Sequence, residues 1–220
     1  DPGSEVAEWL DKGRFLGGLP LRALETMLAV DGRIQLLERH LARLAASCAD
    51  LGLPLDLAEV SAALAAACPP SGSHRLRLLA GGDPPEVTVS PAPTRGTPVT
   101  LRLATEPLDV VRFARVVRNK TTHRAHYQRL RDLAGPGVFD VICHAGGELT
   151  ECTLGNLALQ LHGQWWTPPQ AVGLLPGTLR AELLAAGRLR ERRLPVADLE
   201  LAEGLAFLNS VRGWCPARLA

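Results

Sequence analysis

GELTECTLGNLALQLHGQWWTPPQAVGLLPGTLRAELL, residues 147–184, carries the densest structural and chemical signal in this chain. Its first part sets short apolar runs between polar turns: LTEC, then NLALQL, HGQ and WWTP, the pattern of hairpin strands. Its last part, GLLPG, is a Gly- and Pro-bearing turn that leads into a helix predicted from about 177 to 187. The N–H groups and positive dipole end at such a helix start suit an anion; the plainer reading is a simple Gly-Pro turn. No G-x-G-x-x-G and no Walker lysine precedes it, so it is neither a dinucleotide fingerprint nor a P-loop. Glu151 falls at the end of a short hairpin strand, followed by Thr153 and Asn156. A carboxylate flanked by apolar strands needs either a cationic partner or a place at a wet hairpin edge.

Working upstream, VVRNKTTHRAHYQRLR (116–131) contains one of only two lysines, Lys12 and Lys120, against 22 arginines among the 24 basic residues. A chain that uses Arg almost wherever a cation is wanted has kept Lys120 in its interior. Lysine can lose its proton when desolvated and attack a carbonyl carbon, which guanidinium cannot do. The sharp reading of Lys120 is therefore a Schiff-base lysine; the bland one is a surface or phosphate-contacting lysine.

Composition narrows the class. The formal net charge of +1 over 220 residues gives no polyanion-binding field, and the one dense basic run, RLRERR (188–193), lacks interleaved aromatics. Nucleic acid is excluded as a partner on these grounds. The five cysteines are odd in number and form no C-x-x-C, which points to reduced thiols, no metal site and a cytoplasmic setting. Apolar stretches fall short of the about 18 residues that a membrane span needs.

The first half reads as a lead-in over 1–18 and then an α+β lobe over 19–112. ALETMLAV (23–30) suits a strand, and DGR (31–33) a turn. Leu37, Leu41, Leu44, Cys48 and Leu51 recur in steps of four and three, predicting an amphipathic helix that Gly52 ends. Asp56, with Glu59 three residues on, opens a second helix to about Cys68. HRLRLLA, EVTVSP and VTLRLAT are predicted as a hairpin and a further strand of this lobe. EPLDVVRFARVVRN (106–119) is predicted to bridge to a second lobe, 113–220, which opens with a short helix around 122–134 and contains Lys120.

Taken in order, LETMLAVDGRIQLLERHLARL, NKTTHRAHY, LTECTLGNLALQ, WWTPPQAVGLLPGTLRAELL and FLNSVRGWCPARL form a series. It closely resembles the class IV (fold-type IV) pyridoxal-phosphate enzymes over residues 19–220. The specific elements are E-x-T-x-x-N, TPP-x3-G-x-LPG-x2-R and a lysine some 30 residues earlier. Within the family the closer likeness is to 4-amino-4-deoxychorismate lyase, especially lyase domains fused behind an aminodeoxychorismate synthase, which share ALETM, HLARLAAS and NSVRGW-PARL elements. Stand-alone members begin with an additional strand and a YGDG-like turn; LRALETM stands in their place here, as in the fused form.

The resemblance implies an α+β fold of two lobes with pyridoxal 5'-phosphate (PLP) between them, the C-terminal lobe a pseudo-barrel of hairpins and strands. By the same resemblance Lys120 holds the cofactor and shuttles protons, and Glu151 faces the pyridine nitrogen. Arg43, the N–H groups of Thr178 and Leu179, and Asn209 or Ser210 cradle the phosphate, while Asn156 orients the Glu151 strand. Arg124, Arg212 and His123 are candidates for substrate contacts. His40 and His126 are structural or near-site residues, and Trp165, Trp166 and Trp214 are packing. The implied activity is lysis of a small-molecule substrate, aminodeoxychorismate, to 4-aminobenzoate and pyruvate in folate biosynthesis. A homodimer and a fused or associated synthase partner are implied with it. Two alternatives stand: a class IV aminotransferase of the branched-chain or D-amino-acid type, and a non-catalytic cofactor-binding module of a synthase complex.

Overall fold

The computed structural model describes residues 20–94 and 98–220. The chain folds as two compact units: the described residues through Pro91 together with 119–124, and residues 92–118 together with 125–220.

The first unit begins with β1 (Ala23–Val30) and the two-residue β2 (Arg33–Ile34), then α1 (Leu37–Leu51) and α2 (Leu57–Ala67), and closes with β3 (Ser73–Ala80) and β4 (Glu86–Pro91). Its sheet runs β2-β1-β3-β4 with every pair antiparallel. Asp31 and Gly32 both take positive φ (47° and 77°) in the turn after β1, as an Asp-Gly hairpin requires. The expected helical stripe is buried: Leu44, Cys48 and Leu51 are each about 1% exposed. Leu44 and Cys48 pack with Val60 and Leu64 of α2 against Ala23, Met27, Leu76 and Leu78 of the sheet. Gly52 ends α1 in the left-handed region, its N–H turned back to Ala49 and Cys48 carbonyls. Asp56 caps α2, its carboxylate accepting from the Ala58 and Glu59 N–H groups.

The second unit contains β5 (Val99–Leu103), α3 (Ala114–Arg118), α4 (Ala125–Ala134), β6 (Asp140–Ala145), β7 (Glu148–Cys152), β8 (Asn156–Leu161) and β9 (Gln164–Thr167). A 3-10 turn at Gln170–Val172 precedes α5 (Thr178–Ala185), β10 (Arg190–Glu191), α6 (Asp198–Leu201), β11 (Gly204–Asn209) and β12 (Gly213–Leu219). The sheet order is β10-β9-β8-β11-β12-β5-β6-β7. β7 and β8 thus stand five strands apart, which a flat sheet would separate by about 24 Å. The chain from Cys152 to Asn156 can span only about 14 Å, and Cys152 and Gly155 are directly hydrogen bonded. The sheet must curl, giving the expected open barrel. Leu157 and Leu159 of β8 pack into one core with Leu101, Ile142 and Phe207, while Ala158 packs into another with Leu183 of α5 and Leu208. Burial on both faces explains why NLALQL reads as an apolar run rather than an alternation.

Two expectations need correction. VTLRL does not join the first lobe's hairpin: as β5 it pairs in parallel with β12 and β6, inside the second sheet. The boundary drawn at 112/113 also differs from the packing. The units part after Pro91, and 119–124, Lys120 included, returns to the first unit. The reason is backbone pairing: the Leu24 N–H donates to the Lys120 carbonyl (2.8 Å), the Thr122 N–H donates to Arg22 (3.0 Å), and Ala23 bridges Thr121. The helix expected around 122–134 begins at Ala125 for that reason.

Candidate active site

Lys120 is half-buried on the edge of β1, and its neighbour Asn119 is tied by a 2.5 Å hydrogen bond from its side chain to Asp50 at the end of α1. On β1 itself sits Glu25, 1% exposed, a residue that sequence reasoning passed over. It accepts a fork from Arg43 (Nε 2.8 Å, Nη2 2.5 Å) and faces Nδ1 of His40 at 2.6 Å. Burial alone would push the Glu25 carboxyl up. The Arg43 charge and the His40 and Arg43 hydrogen bonds outweigh it and hold the pKa at about 2. Burial, with smaller help from the Arg43 and Lys120 charges, lowers the His40 pKa against the pull of Glu25. His40 and Glu25 are close enough to count as an ion pair, yet this lowering favours a neutral imidazole that donates through Nδ1–H. Arg43 is then the cation of the cluster. Lys120 lies near enough for its charge to act on His40 as well. The signal in the sequence was an acidic residue on the core-facing phase of an apolar strand, 15 and 18 residues before His40 and Arg43.

In the second unit Glu151 lies on β7 at 2% exposure. Tyr127 of α4 donates its phenol to Oε1 (2.5 Å), and the Leu175 N–H donates to Oε2 (3.1 Å). Asn156 donates to the Leu175 carbonyl at 3.0 Å. One residue of the LPG turn, Leu175, is therefore held by Glu151 at its N–H and by Asn156 at its carbonyl, which links E-x-T-x-x-N to LPG physically. Asn156, expected to orient the Glu151 strand, bonds to the turn that Glu151 also grips. Gly177 sits so close that a Cβ there would come within 1.8 Å of Asn156 Oδ1. Gly155 is equally constrained, with the Leu208 carbonyl 2.3 Å from where a Cβ would lie. Thr153 donates to the buried Asp140, which also accepts from Arg131 (3.0 Å) and from the Val141 and Leu154 N–H groups (2.8 and 2.9 Å). That hub fixes the turn between Glu151 and Asn156.

Gly177 is the N-cap of α5, so Thr178 and Leu179 occupy the first helical positions, at its positive end. Arg180, 4% exposed, anchors this helix: it donates to the Pro168 carbonyl (2.7 Å) and to Glu191. The spacing TPP…LPG-x2-R is thus a clamp between the strand end and the helix.

Asn209 Oδ1 accepts the Val211 and Arg212 N–H groups (3.2 and 2.7 Å), and its Nδ2 donates to Leu154 (3.3 Å). Its carbonyl end thus builds the β11–β12 turn, and its amino end ties that turn to the one between β7 and β8. Ser210 is half-buried in the same turn. Arg212 lies over the Phe139 ring at 4.9 Å and donates to the Thr94 carbonyl (3.2 Å). Both contacts lie within its own unit. His123 and Arg124 are half-buried beside Lys120 in sequence, the His123 N–H on the Thr121 hydroxyl at 3.3 Å. Trp165 and Trp214 meet edge to face at 4.6 Å, as packing residues do. Tyr127 carried no motif signal, because its partner lies 24 residues on.

The chain is similar to proteins of one family. A family model described as amino-transferase class IV matches residues 22–220. A Schizosaccharomyces pombe protein named "Putative aminodeoxychorismate lyase" is 32% identical over 198 residues, 84% of each chain. Among solved structures, one titled as a "Putative amino-acid aminotransferase" from Mesorhizobium loti has TM-score 0.80 and 33% identity, over 91% of this chain and 100% of that one. A hypothetical aminotransferase from Mycobacterium tuberculosis in its PLP-bound form has TM-score 0.78 and 27% identity, over 90% and 81%.

Proposed function

The chain belongs to the class IV aminotransferase family, whose members bind PLP, and from that premise we propose that it is a 4-amino-4-deoxychorismate lyase. What carries this reading is the S. pombe relative, which shares 84% of its length with this chain. The N-S-V-R-G-W ending supports it as the feature that separates lyase-like members from aminotransferases by resemblance.

The donor chemistry fits the cofactor. A lysine supplies the amine for its aldehyde, an anionic-site helix start and Arg43 suit its phosphate, and a buried carboxylate suits its ring nitrogen. When bound, PLP supplies an electron sink for the pair left on the substrate's amine-bearing carbon. In the proposed reaction Lys120 Nζ would hold the cofactor and, once freed, would take the proton from that carbon. Glu151 keeps the ring nitrogen protonated. Arg43 with the Thr178 and Leu179 N–H groups, and Ser210 through its hydroxyl, bind phosphate. His123 and Arg124 follow Lys120 on the substrate side. Departure of the enolpyruvyl group would leave the ring aromatic as 4-aminobenzoate, and the proton held on Lys120 would pass to the departing enolpyruvate to give pyruvate. A homodimer, a synthase partner and a cytoplasmic setting belong to the same reading; among the described residues no helix is long and apolar enough to cross a membrane.

Holoprotein incubated with aminodeoxychorismate is expected to release pyruvate and 4-aminobenzoate in equal amounts, and the Lys120→Ala variant none. Absence of both products from the wild type rejects the lyase. A second reading, a class IV aminotransferase, draws on the M. loti neighbour. It requires amino transfer from an L- or D-amino acid to 2-oxoglutarate, which the lyase does not need.

A further inference from the structure

Tyr127 is the only tyrosine in the chain, and it is 4% exposed on α4. Its ring is wedged among Leu108, Val117, Leu130, Val141 and Cys143, and lies 4.0 Å from the His126 ring, which in turn stacks on Phe113. A tyrosine placed this deeply satisfies its hydroxyl with a partner in the protein. That partner is Oε1 of Glu151, at 2.5 Å. We propose that Tyr127 is a positioning residue for Glu151, holding that carboxylate ionised and oriented toward the cofactor's ring nitrogen. The proposal rests on Glu151 being the pyridine partner, as in the reading above.

Two opposing effects act on Glu151. Burial favours the neutral acid, whereas hydrogen bonds donated to the carboxylate favour the anion. Tyr127 and the Leu175 N–H supply one such bond to each oxygen, and both donors are neutral. They stabilise the charge without cancelling it, so the carboxylate keeps its attraction for a cationic ring nitrogen. Their directions differ in origin: Leu175 belongs to the LPG turn and Tyr127 to a helix locked by packing. Together they fix the plane of the carboxylate from two independent elements. Removing the phenol raises the basicity of Glu151, and the proton it shares with the ring moves away from the ring.

The test uses holoprotein loaded with PLP labelled with nitrogen-15 in its ring. In wild type the ring resonance is expected at the protonated position, and in Tyr127→Phe it moves toward the unprotonated one. kcat falls about tenfold to a hundredfold, the scale of a hydrogen bond to a charged group, with KM little changed. In a Glu151→Gln background the same Tyr127 change is expected to move nothing further. Because the chain has one tyrosine, biosynthetic replacement by fluorotyrosine alters Tyr127 alone and keeps the fold. The more acidic phenol is expected to raise ring protonation rather than lower it. A resonance unmoved in both Tyr127 forms, or one moved equally without Glu151, overturns the proposal. An unprotonated ring in the wild type instead overturns the assignment of Glu151.

Discussion

A carboxylate persists at 1% exposure on β1 because Arg43 and His40 meet both its oxygens. The consequence for stability is directional. Glu25 titrates at about 2 when folded against an ordinary 4.5. Its contribution is therefore complete above about pH 4.5 and is lost as the pH falls toward 2. The shift corresponds to about 3 kcal/mol. His40, lowered from 6.5, acts in the same direction: below pH 6.5 the unfolded chain takes up the proton more readily than the folded one. Glu25→Gln is expected to cost about 3 kcal/mol at pH 7, since it leaves Arg43 facing a neutral amide. It also flattens the acid limb of the profile. Urea unfolding of both proteins between pH 7 and 3 measures this, and parallel acid limbs would show that Glu25 is not the titrating group.

At the level of elements, the LPG turn is determined less by its own residues than by what stands behind it. Gly177 has φ −64° and ψ 136°, a backbone any residue adopts, so glycine is not needed there for conformation. It is needed for space, because Asn156 occupies the position of a Cβ. Gly177→Ala is expected to cost about 2 kcal/mol through overpacking and to weaken PLP binding. Adding Asn156→Ala removes the clash, so the double variant costs less than the sum of the two. Additive costs in thermal and PLP-binding measurements would mean that the two side chains do not meet. The same contrast explains what the sequence could reveal. The α1 stripe, the Asp56 cap and the Glu151 and LPG motifs are local patterns of residue type and spacing, and they were legible. The pairing of β5 with β12 and β6 was not, since VTLRL alternates alike in either sheet. Nor was the Tyr127–Glu151 bond, since neither residue's surroundings name the other. Glu25 lies between: its strand is visible in the sequence, but nothing local to it names Arg43 and His40 as the partners that let a charge be buried there.

On the scale of the whole molecule, the chain crosses from one compact unit to the other and back before it finishes, and Lys120 belongs to the returning piece. Residues 119–124 hold to β1 by the Leu24–Lys120 hydrogen bond and the Ala23–Thr121 bridge, to Arg22 just before it by the Thr122 N–H, and to α1 by Asn119 and Asp50. Both neighbours of the segment in sequence, α3 and α4, pack in the other unit through Val117, Tyr127 and Leu130. If packing rather than chain order sets cooperative opening, amides protected by the β1 contact must exchange with β1–β4. Native-state hydrogen exchange at rising denaturant is therefore expected to give the Thr122 amide, bonded to Arg22, the opening free energy and denaturant slope of Leu24, Met27 and Leu76. The amides of Val117 and Leu130, only a few residues away, are expected to follow β6 and β8. Asn119→Ala, which removes the tie to Asp50, should speed exchange at Thr122 while leaving Leu76 unchanged. A Thr122 amide that tracks Val117 and Leu130 instead would place the lysine segment in the second unit's cooperative network, and the cluster of Lys120, His40 and Arg43 would lose its structural basis.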